Sequence, residues 1–236
     1  MHYAAMSCLP VLVLLQPLTA SGQQPFAPAP LAITHVTVID TEGGGGARPD
    51  MTVLIREGRI AAVQRGAAVP GGTQELDGRG KFLIPGLWDM HVHLSWTTAS
   101  ALPVLLANGV TGVRDVGSDL GEIDGWRTRI AAGLLSGPRI FRAGPILNGK
   151  SFNKYQLETG DSSQARGIVR ALKWVGVDFI KVHRRTPRES YFAIIDEARK
   201  QGLAVVGHVP MTVTPAEASD AGQQIEHAGG IARGLV

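Results

Sequence analysis

The stretch FLIPGLWDMHVHL, residues 82–94, decides how the rest of the chain is interpreted. Residues 88–93 have the apolar character of a buried strand, and two histidines stand at its end. Side chains two residues apart on a strand point to the same face, so His91 and His93 are predicted to hold one metal ion from one side. Imidazole suits zinc, nickel, iron and copper better than magnesium or calcium.

Downstream of Lys81, short apolar strands alternate with amphipathic helical stretches. This alternation is typical of βα units with a parallel sheet. Its repetition, and the lack of a Gly-x-Gly-x-x-Gly sequence after an early strand, favour a barrel over a doubly wound sheet. We therefore predict an α/β fold, an incomplete (β/α)8 TIM-type barrel with about six βα units. The candidate strands are 82–84 with 88–93, 112–116, 139–143, 179–183, 204–208 and 224–227, and the candidate helices are 164–175 and 187–201.

The segment before the barrel predicts strands of another style. Residues 32–40 alternate and are β-branched, and residues 51–63 are typical of a hairpin that turns at Glu57 and Gly58. These short, turn-linked strands indicate antiparallel pairing.

The N-terminus has the pattern of an export signal. Residues 9–18 form an apolar stretch that is too short to span a bilayer, and the small residues that follow fit cleavage after Gly22. No Lys or Arg precedes the stretch, so a disordered start is the alternative. We expect a signal peptide at 1–22, a flexible leader at 23–30, a periplasmic or extracellular location and no transmembrane segment. Cys8, the single cysteine, lies inside the signal, which excludes disulfides and thiolate metal sites from the mature chain.

Composition excludes two classes of protein. Hydrophobic residues make up 44% of the chain and charged residues 18%, which indicates a globular protein rather than a disordered one. The net charge is +3 and no Lys/Arg-rich run is present, so nucleic acid is not an expected partner.

Further candidate site residues stand at the ends of later strands. His208 ends the strand in VVGHVP, His227 ends the strand in IEHAGG, and Lys181 lies near the end of the strand in DFIKVH. In a barrel, functional residues collect at the carboxyl ends of strands. A lone strand histidine is usually a satisfied polar group, and the alternative for Lys181 is a surface ion pair. Histidines and a buried lysine that all stand at strand ends instead indicate a metal site.

The ordered motifs resemble a known family. FLIPGLWDMHVHL is similar to the metal-binding signature of the amidohydrolase superfamily, and GVTGVRDVG, DFIKVH, GHVP and AGQQIEHAGG follow in the expected order. The imidazolonepropionase-like and prolidase-like branches are the most similar. The resemblance covers roughly residues 31–236, which is nearly all of the expected mature chain.

The resemblance implies a ligand set and a reaction. His91 and His93 would bind the more buried metal, His208 and His227 the second, and Lys181, carboxylated by carbon dioxide, would bridge them. One or two divalent ions, with zinc favoured, would then activate water for cleavage of an amide-type C–N bond. His183 would contact the substrate, and the alternative is a histidine at the barrel rim without such a role. Asp89 would support His91 without binding the metal itself. Arg114 and Asp115 are interpreted as a structural ion pair.

The resemblance also implies a domain plan. Residues 31–80 would be the N-terminal part of a β-sandwich and residues 81–236 an incomplete barrel. The family's catalytic aspartate on the eighth strand would lie beyond Val236, so we expect this chain to be a fragment of the enzyme with little activity of its own. The alternative is a truncated, inactive metal-binding remnant. An unrelated α/β hydrolase has less support, because no Gly-x-Ser-x-Gly elbow is present.

Substrate and assembly stay open in the sequence. A small molecule or a short peptide is expected, with proline dipeptides, other peptides, cyclic amides, lactones and organophosphate esters all compatible with the motifs. The oligomeric state is not indicated.

Overall fold

The computed structural model describes residues 29–41 and 45–228, together with Ala232. The predicted signal peptide and most of the predicted leader lie outside these residues. The chain divides into two compact units, Met1–Pro85 and Gly86–Val236. None of the described helices is both long enough and apolar enough to cross a membrane.

The first unit is built on one five-stranded sheet. Strands β1 and β2 pair antiparallel, as do β2 and β3, which confirms the antiparallel pairing predicted for residues 32–40 and 51–63. Strands β4 and β5, which that prediction did not include, both pair parallel with β1. The turn between β2 and β3 lies at Glu57 and Gly58, as predicted, and both residues have positive φ, as a two-residue hairpin turn requires. The strands are β1 Leu31–Ile39, β2 Ala47–Arg56, β3 Arg59–Arg65, β4 Gln74–Asp77 and β5 Phe82–Leu83.

One predicted barrel strand divides between the units. Phe82 pairs with Thr37 of β1 and Leu83 pairs with Val38, so these two residues belong to the sheet of the first unit. The prediction that residues 82–84 form part of a barrel strand was therefore wrong. The described residues of this unit form a single sheet, and the second sheet of a sandwich stays a prediction.

The second unit alternates strands and helices in the predicted manner. All of its strand pairs are parallel, in two sheets with the orders β6-β7-β8 and β10-β9-β11-β12-β13. The elements are β6 Leu87–Val92, a 3-10 turn Leu94–Trp96, α1 Ala101–Ala107, β7 Val110–Asp115, α2 Leu120–Ala131, β8 Arg139–Arg142, β9 Ile146–Asn148, β10 Gln156–Glu158, α3 Ser162–Trp174, β11 Phe179–Val182, α4 Arg188–Lys200, β12 Ala204–Gly207, α5 Pro215–Asp220 and β13 Gln224–Ile225.

Asp178 and Arg142 connect the two sheets of the second unit. The backbone N–H of Asp178 donates to the carbonyl of Arg142 at 2.9 Å, and the N–H of Arg142 donates to the Asp178 carboxylate at 2.8 Å. The strands therefore follow one another as an arc of parallel βα units. This arrangement confirms the predicted TIM-type class, and within the described residues the arc does not close into a barrel.

Alternation along the strands separates a helix-facing layer from an inner layer. Ile180 and Val182 of β11 pack with residues of α3 and α4 in the largest hydrophobic core cluster. Phe179 belongs to a different cluster, and Lys181 points to the same face as Phe179 because side chains alternate along a strand. The inner face of the arc therefore receives Lys181, whereas Ile180 and Val182 face the hydrophobic cluster on the helix side.

Candidate functional site

His91 and His93 reach the same face through a bulge in β6. Asp89 pairs with Val113 of β7, but Val92 pairs with Asp115, so β6 has one residue more than its partner between these points. The Asp89 carboxylate accepts a hydrogen bond from the backbone N–H of His91 at 3.0 Å, which supports the bulge. The two imidazole rings lie with centroids 5.4 Å apart. The predicted support of His91 by Asp89 thus acts on the backbone.

His93 is oriented by two contacts at the end of β6. Its Nδ1 donates to the carbonyl of Gly117 at 2.9 Å, which leaves Nε2 as the nitrogen free to bind a metal. Its ring stacks on Trp96 with centroids 4.3 Å apart. Both contacts fix the plane of the imidazole.

Asp115 stabilises the turn that follows His93. It is fully buried, and its carboxylate accepts hydrogen bonds from Leu94 N–H and the Ser118 hydroxyl, both at 2.8 Å, and from Gly117 N–H at 3.2 Å. Burial raises the pKa of Asp115, and these three hydrogen bonds oppose the rise. The expected ion pair with Arg114 was wrong, because neighbouring residues on β7 point to opposite faces.

Lys181 is buried on the inner face, where its amine donates to the carboxylate of Glu226. Burial lowers the pKa of Lys181, while the carboxylate of Glu226 counteracts that effect. Gly207 of β12 makes room for this side chain: its φ is +129°, and an added Cβ would lie 2.2 Å from the Val182 carbonyl oxygen and 3.1 Å from Lys181 Cδ. The alternative of a surface ion pair was wrong in its location, because Lys181 is buried and its ion pair with Glu226 lies on the inner face.

The imidazole rings of the site form a continuous chain. The centroid distances are 5.4 Å for His93–His91, 4.7 Å for His91–His227, 4.3 Å for His227–His208 and 4.4 Å for His208–His183. The structure therefore brings together all four predicted histidine ligands and the predicted substrate residue. Their roles stay predictions.

Three of these rings have lowered pKa values. Burial is the main cause in each case, and neighbouring cations and imidazoles add to it. The pKa is about 4 for His91 and His183 and about 3 for His208. The neutral imidazole that results is the form that binds metals.

Two buried nitrogens in the cluster have no hydrogen-bond partner among the described residues. They are Nδ1 of His183 and Nδ1 of His208. Buried polar atoms are nearly always satisfied, so each of these atoms needs a ligand. A metal ion or a substrate group at this position would satisfy that need.

Glu226 is the site residue that the sequence analysis missed. Its Oε2 lies 3.2 Å from Nδ1 of His91, and its carboxylate also contacts Lys181 and Arg114. Strand β13 ends at Ile225, and His227 has a φ of 70°, so the chain turns and both Glu226 and His227 reach the site. A buried lysine needs a counter-charge, and that requirement was the available signal for an acidic residue next to a strand-end histidine.

Curated proteins of known activity match parts of this chain. A deacetylase of Agrobacterium fabrum is 34% identical over 106 residues, which are 42% of this chain and 26% of the relative. A dihydroorotase of Citrifermentans bemidjiense is 31% identical over 134 residues, 56% of this chain and 27% of the relative. An adenine deaminase of Desulforamulus reducens is 27% identical over 214 residues, 80% of this chain and 32% of the relative. No family model matches the chain.

Solved structures share the fold. The structure of a Bifidobacterium longum protein assigned as a prolidase has a TM-score of 0.69 and 28% identity, covering 82% of this chain and 52% of its own. These deacetylase, dihydroorotase, deaminase and prolidase relatives are members of one superfamily. It is the amidohydrolase superfamily, and this chain is similar to these members over part of their length. The chain spans about a quarter to a third of the length of these curated amidohydrolases and about half of the prolidase structure.

Proposed function

We propose that the protein is a metal-dependent amidohydrolase that cleaves amide-type C–N bonds with water as the nucleophile. The observation that carries the proposal is the chain of imidazole rings from His93 to His183 at the carboxyl ends of parallel strands, beside a buried lysine. In barrels this end of the strands holds the active site. The relatives support hydrolysis of C–N bonds as the reaction class.

The residues present fit one or two divalent ions, with zinc favoured. The fit rests on the lowered pKa values of His91 and His208, on the unpaired Nδ1 of His208 and on the free Nε2 of His93. Imidazole nitrogens are preferred zinc ligands. The residues that would hold the metal are His91, His93, His208, His227 and Lys181, the last as a carbamate formed with carbon dioxide. Its burial lowers the pKa of the amine, and the neutral amine is the form that attacks carbon dioxide.

A bound divalent ion would supply Lewis-acid activation of water and of the scissile carbonyl. The protein's own residues supply the orientation. Gly117 and Trp96 fix the ring of His93, and Asp89 fixes the backbone of His91. His183, two residues beyond Lys181, has an unpaired buried Nδ1 and is placed to hold a polar group of the substrate.

Two loops near these histidines carry a positive charge that favours peptide-like substrates. Residues 149–155 follow β9 and residues 183–187 follow β11, and neither loop contains an acidic residue. The guanidinium of Arg185 lies 4.6 Å from the ring centroid of Phe152, which joins the two loops. The exposed basic side chains of the loops are Lys150, Lys154, Arg184 and Arg185. A free carboxylate of a dipeptide or an N-acyl amino acid complements this charge, in keeping with the similarity to the prolidase.

The test combines metal analysis with a substrate screen. The purified chain is expected to bind zinc or another divalent ion, and the enzyme that contains it is expected to hydrolyse members of a panel of Xaa-Pro dipeptides, N-acyl amino acids and cyclic amides. His227→Asn is expected to lose both properties, whereas His35→Asn, which removes a histidine that contacts Asp50 in the first unit, retains them. A His227→Asn protein with wild-type metal content and turnover contradicts the proposal.

Export is proposed on the sequence pattern alone. N-terminal sequencing of protein recovered outside the cytoplasm should begin near Gln23. Recovery of an intact Met1 from a secreted fraction contradicts cleavage.

A further inference from the structure

We propose that Glu226 is an oxygen ligand of the metal centre, that Arg114 positions it, and that a first metal binds to His91, His227 and Glu226 without carbon dioxide. This inference rests on the metal centre of the proposed function and deepens it. It adds one ligand and one positioning residue to the set that the sequence indicated.

The three proposed ligands already have the spacing of a metal site. One ligand atom from each of His91, Glu226 and His227 lies within 4.8 Å of the other two. Two imidazoles and one carboxylate form a common protein ligand set for catalytic zinc, which keeps a further position open for water or substrate. The carboxylate also provides the negative charge that an all-histidine site lacks.

Arg114 holds Glu226 in a fixed orientation. Its Nε donates to the Met90 carbonyl at 3.0 Å, one terminal nitrogen donates to Gln224 Oε1 at 2.9 Å, and the other donates to Glu226 Oε1. Its guanidinium also lies 5.4 Å from the ring centroid of Phe179. Because these contacts restrain its guanidinium, Arg114 orients the carboxylate of Glu226. Residues that hydrogen-bond to metal ligands commonly have this orienting role.

The two oxygens of Glu226 have different partners. Oε1 accepts from Arg114, while Oε2 faces His91 and the amine of Lys181. In this structure the amine of Lys181 donates a hydrogen bond to Oε2. A divalent ion among His91, His227 and Glu226 would replace that contact, and Glu226 would give the first metal an anionic oxygen. The anionic oxygen that the first metal needs is therefore encoded in the chain.

The experiment is a titration of the metal-free protein with Co²⁺, followed by visible absorption, and with Zn²⁺, followed by calorimetry. Glu226→Gln keeps the shape of the side chain and removes its charge, and we expect it to weaken the first binding step by about 10- to 100-fold and to change the Co²⁺ spectrum. Arg114→Gln is expected to weaken the same step about 10-fold, and Arg114→Lys to recover part of the loss. The wild-type protein is expected to bind its first metal equally well in buffer depleted of carbon dioxide.

A matched control separates this effect from a general loss of charge. Asp50→Asn removes a carboxylate that lies 2.8 Å from His35 in the first unit, and metal binding should not change. Circular dichroism monitors folding of every variant. If Glu226→Gln does not fold, the test uses Glu226→Asp and Arg114→Lys, which retain the charges. Their Zn²⁺ affinities and Co²⁺ spectra should then differ from those of the wild type.

The outcomes separate this inference from the proposed function. Wild-type affinity and spectrum in Glu226→Gln, or a first binding step that needs carbon dioxide, overturns the role of Glu226 while the proposed function stands. A wild-type protein that binds no divalent metal overturns both.

Discussion

The carboxylate of Asp89 lies 3.0 Å from the backbone nitrogen of His91, two residues further along β6, and supports the bulge that brings His91 to the site. Without this hydrogen bond the extra residue of the bulge loses its local support. Asp89 therefore acts on metal binding through the backbone of a proposed ligand.

Asp89→Ala is expected to weaken zinc binding by about 10-fold, because His91 is no longer held in its present orientation. Asp77→Ala is the matched control, since Asp77 accepts the same kind of hydrogen bond, from Arg79 N–H at 3.0 Å, in the first unit. Calorimetric zinc titration of both variants checks the prediction. Equal affinities in the two variants would show that the Asp89 contact has no bearing on the metal site.

The buried histidines predict a loss of stability in mild acid. The pKa of His208 is about 3 and that of His91 about 4, both below the ordinary value of 6.5 because of burial. Between pH 6.5 and about 4 the unfolded chain binds protons that the folded chain does not, so the free energy of unfolding falls as the pH falls. Cationic Lys181 and the rings of His183 and His227 add to the effect on His208.

Urea unfolding of metal-free protein at pH 7 and pH 5 measures this loss. His208→Asn should lose less stability between the two pH values than the wild type does. His35→Asn, which removes an exposed histidine of the first unit, should show the wild-type difference. A His208→Asn protein with an undiminished pH dependence would contradict the prediction.

Gly207→Ala is expected to damage the site through the backbone. An alanine there would have a φ of +129°, and its Cβ would lie 2.2 Å from the Val182 carbonyl oxygen, next to Lys181. Gly222→Ala is the control, because Gly222 has a φ of +83° but open space at the Cβ position. The control should lose about 1 to 2 kcal/mol for the left-handed conformation alone, and Gly207→Ala should lose clearly more. Thermal unfolding of both proteins distinguishes them, and equal losses contradict the steric explanation.

The strand-end residues could be predicted because burial and βα order determine them. The alternation of side chains along each strand, together with the order of strands and helices, predicted that Lys181 and the histidines would lie on one face. The bulge in β6 could not be predicted in this way, since it depends on the pairing of β6 with β7. The contacts of Arg114 with Glu226 and Gln224 join residues more than 100 positions apart, and no local pattern reveals them. The sequence analysis missed Glu226 because side chains of a regular strand alternate between its faces, so only one of Glu226 and His227 was expected to point inward.

The Lys181–Glu226 contact predicts that modification of the lysine depends on metal. Burial lowers the pKa of Lys181, but the contact with Glu226 opposes this shift and favours the charged amine, which does not attack carbon dioxide. Once a metal is the cation on Glu226, the freed amine can lose its proton and form the carbamate. We expect ¹³C NMR in ¹³C-bicarbonate to show a carbamate signal only after a divalent metal is added.

Two lysine variants assign that signal. Lys181→Met should abolish it, and Lys200→Met, which removes an exposed lysine 2.9 Å from Asp196, should leave it unchanged. Glu226→Gln should allow the signal to form without metal, because the amine is no longer held as an ammonium. A carbamate of equal intensity in metal-free wild-type protein would show that Glu226 does not protect Lys181 from carbon dioxide.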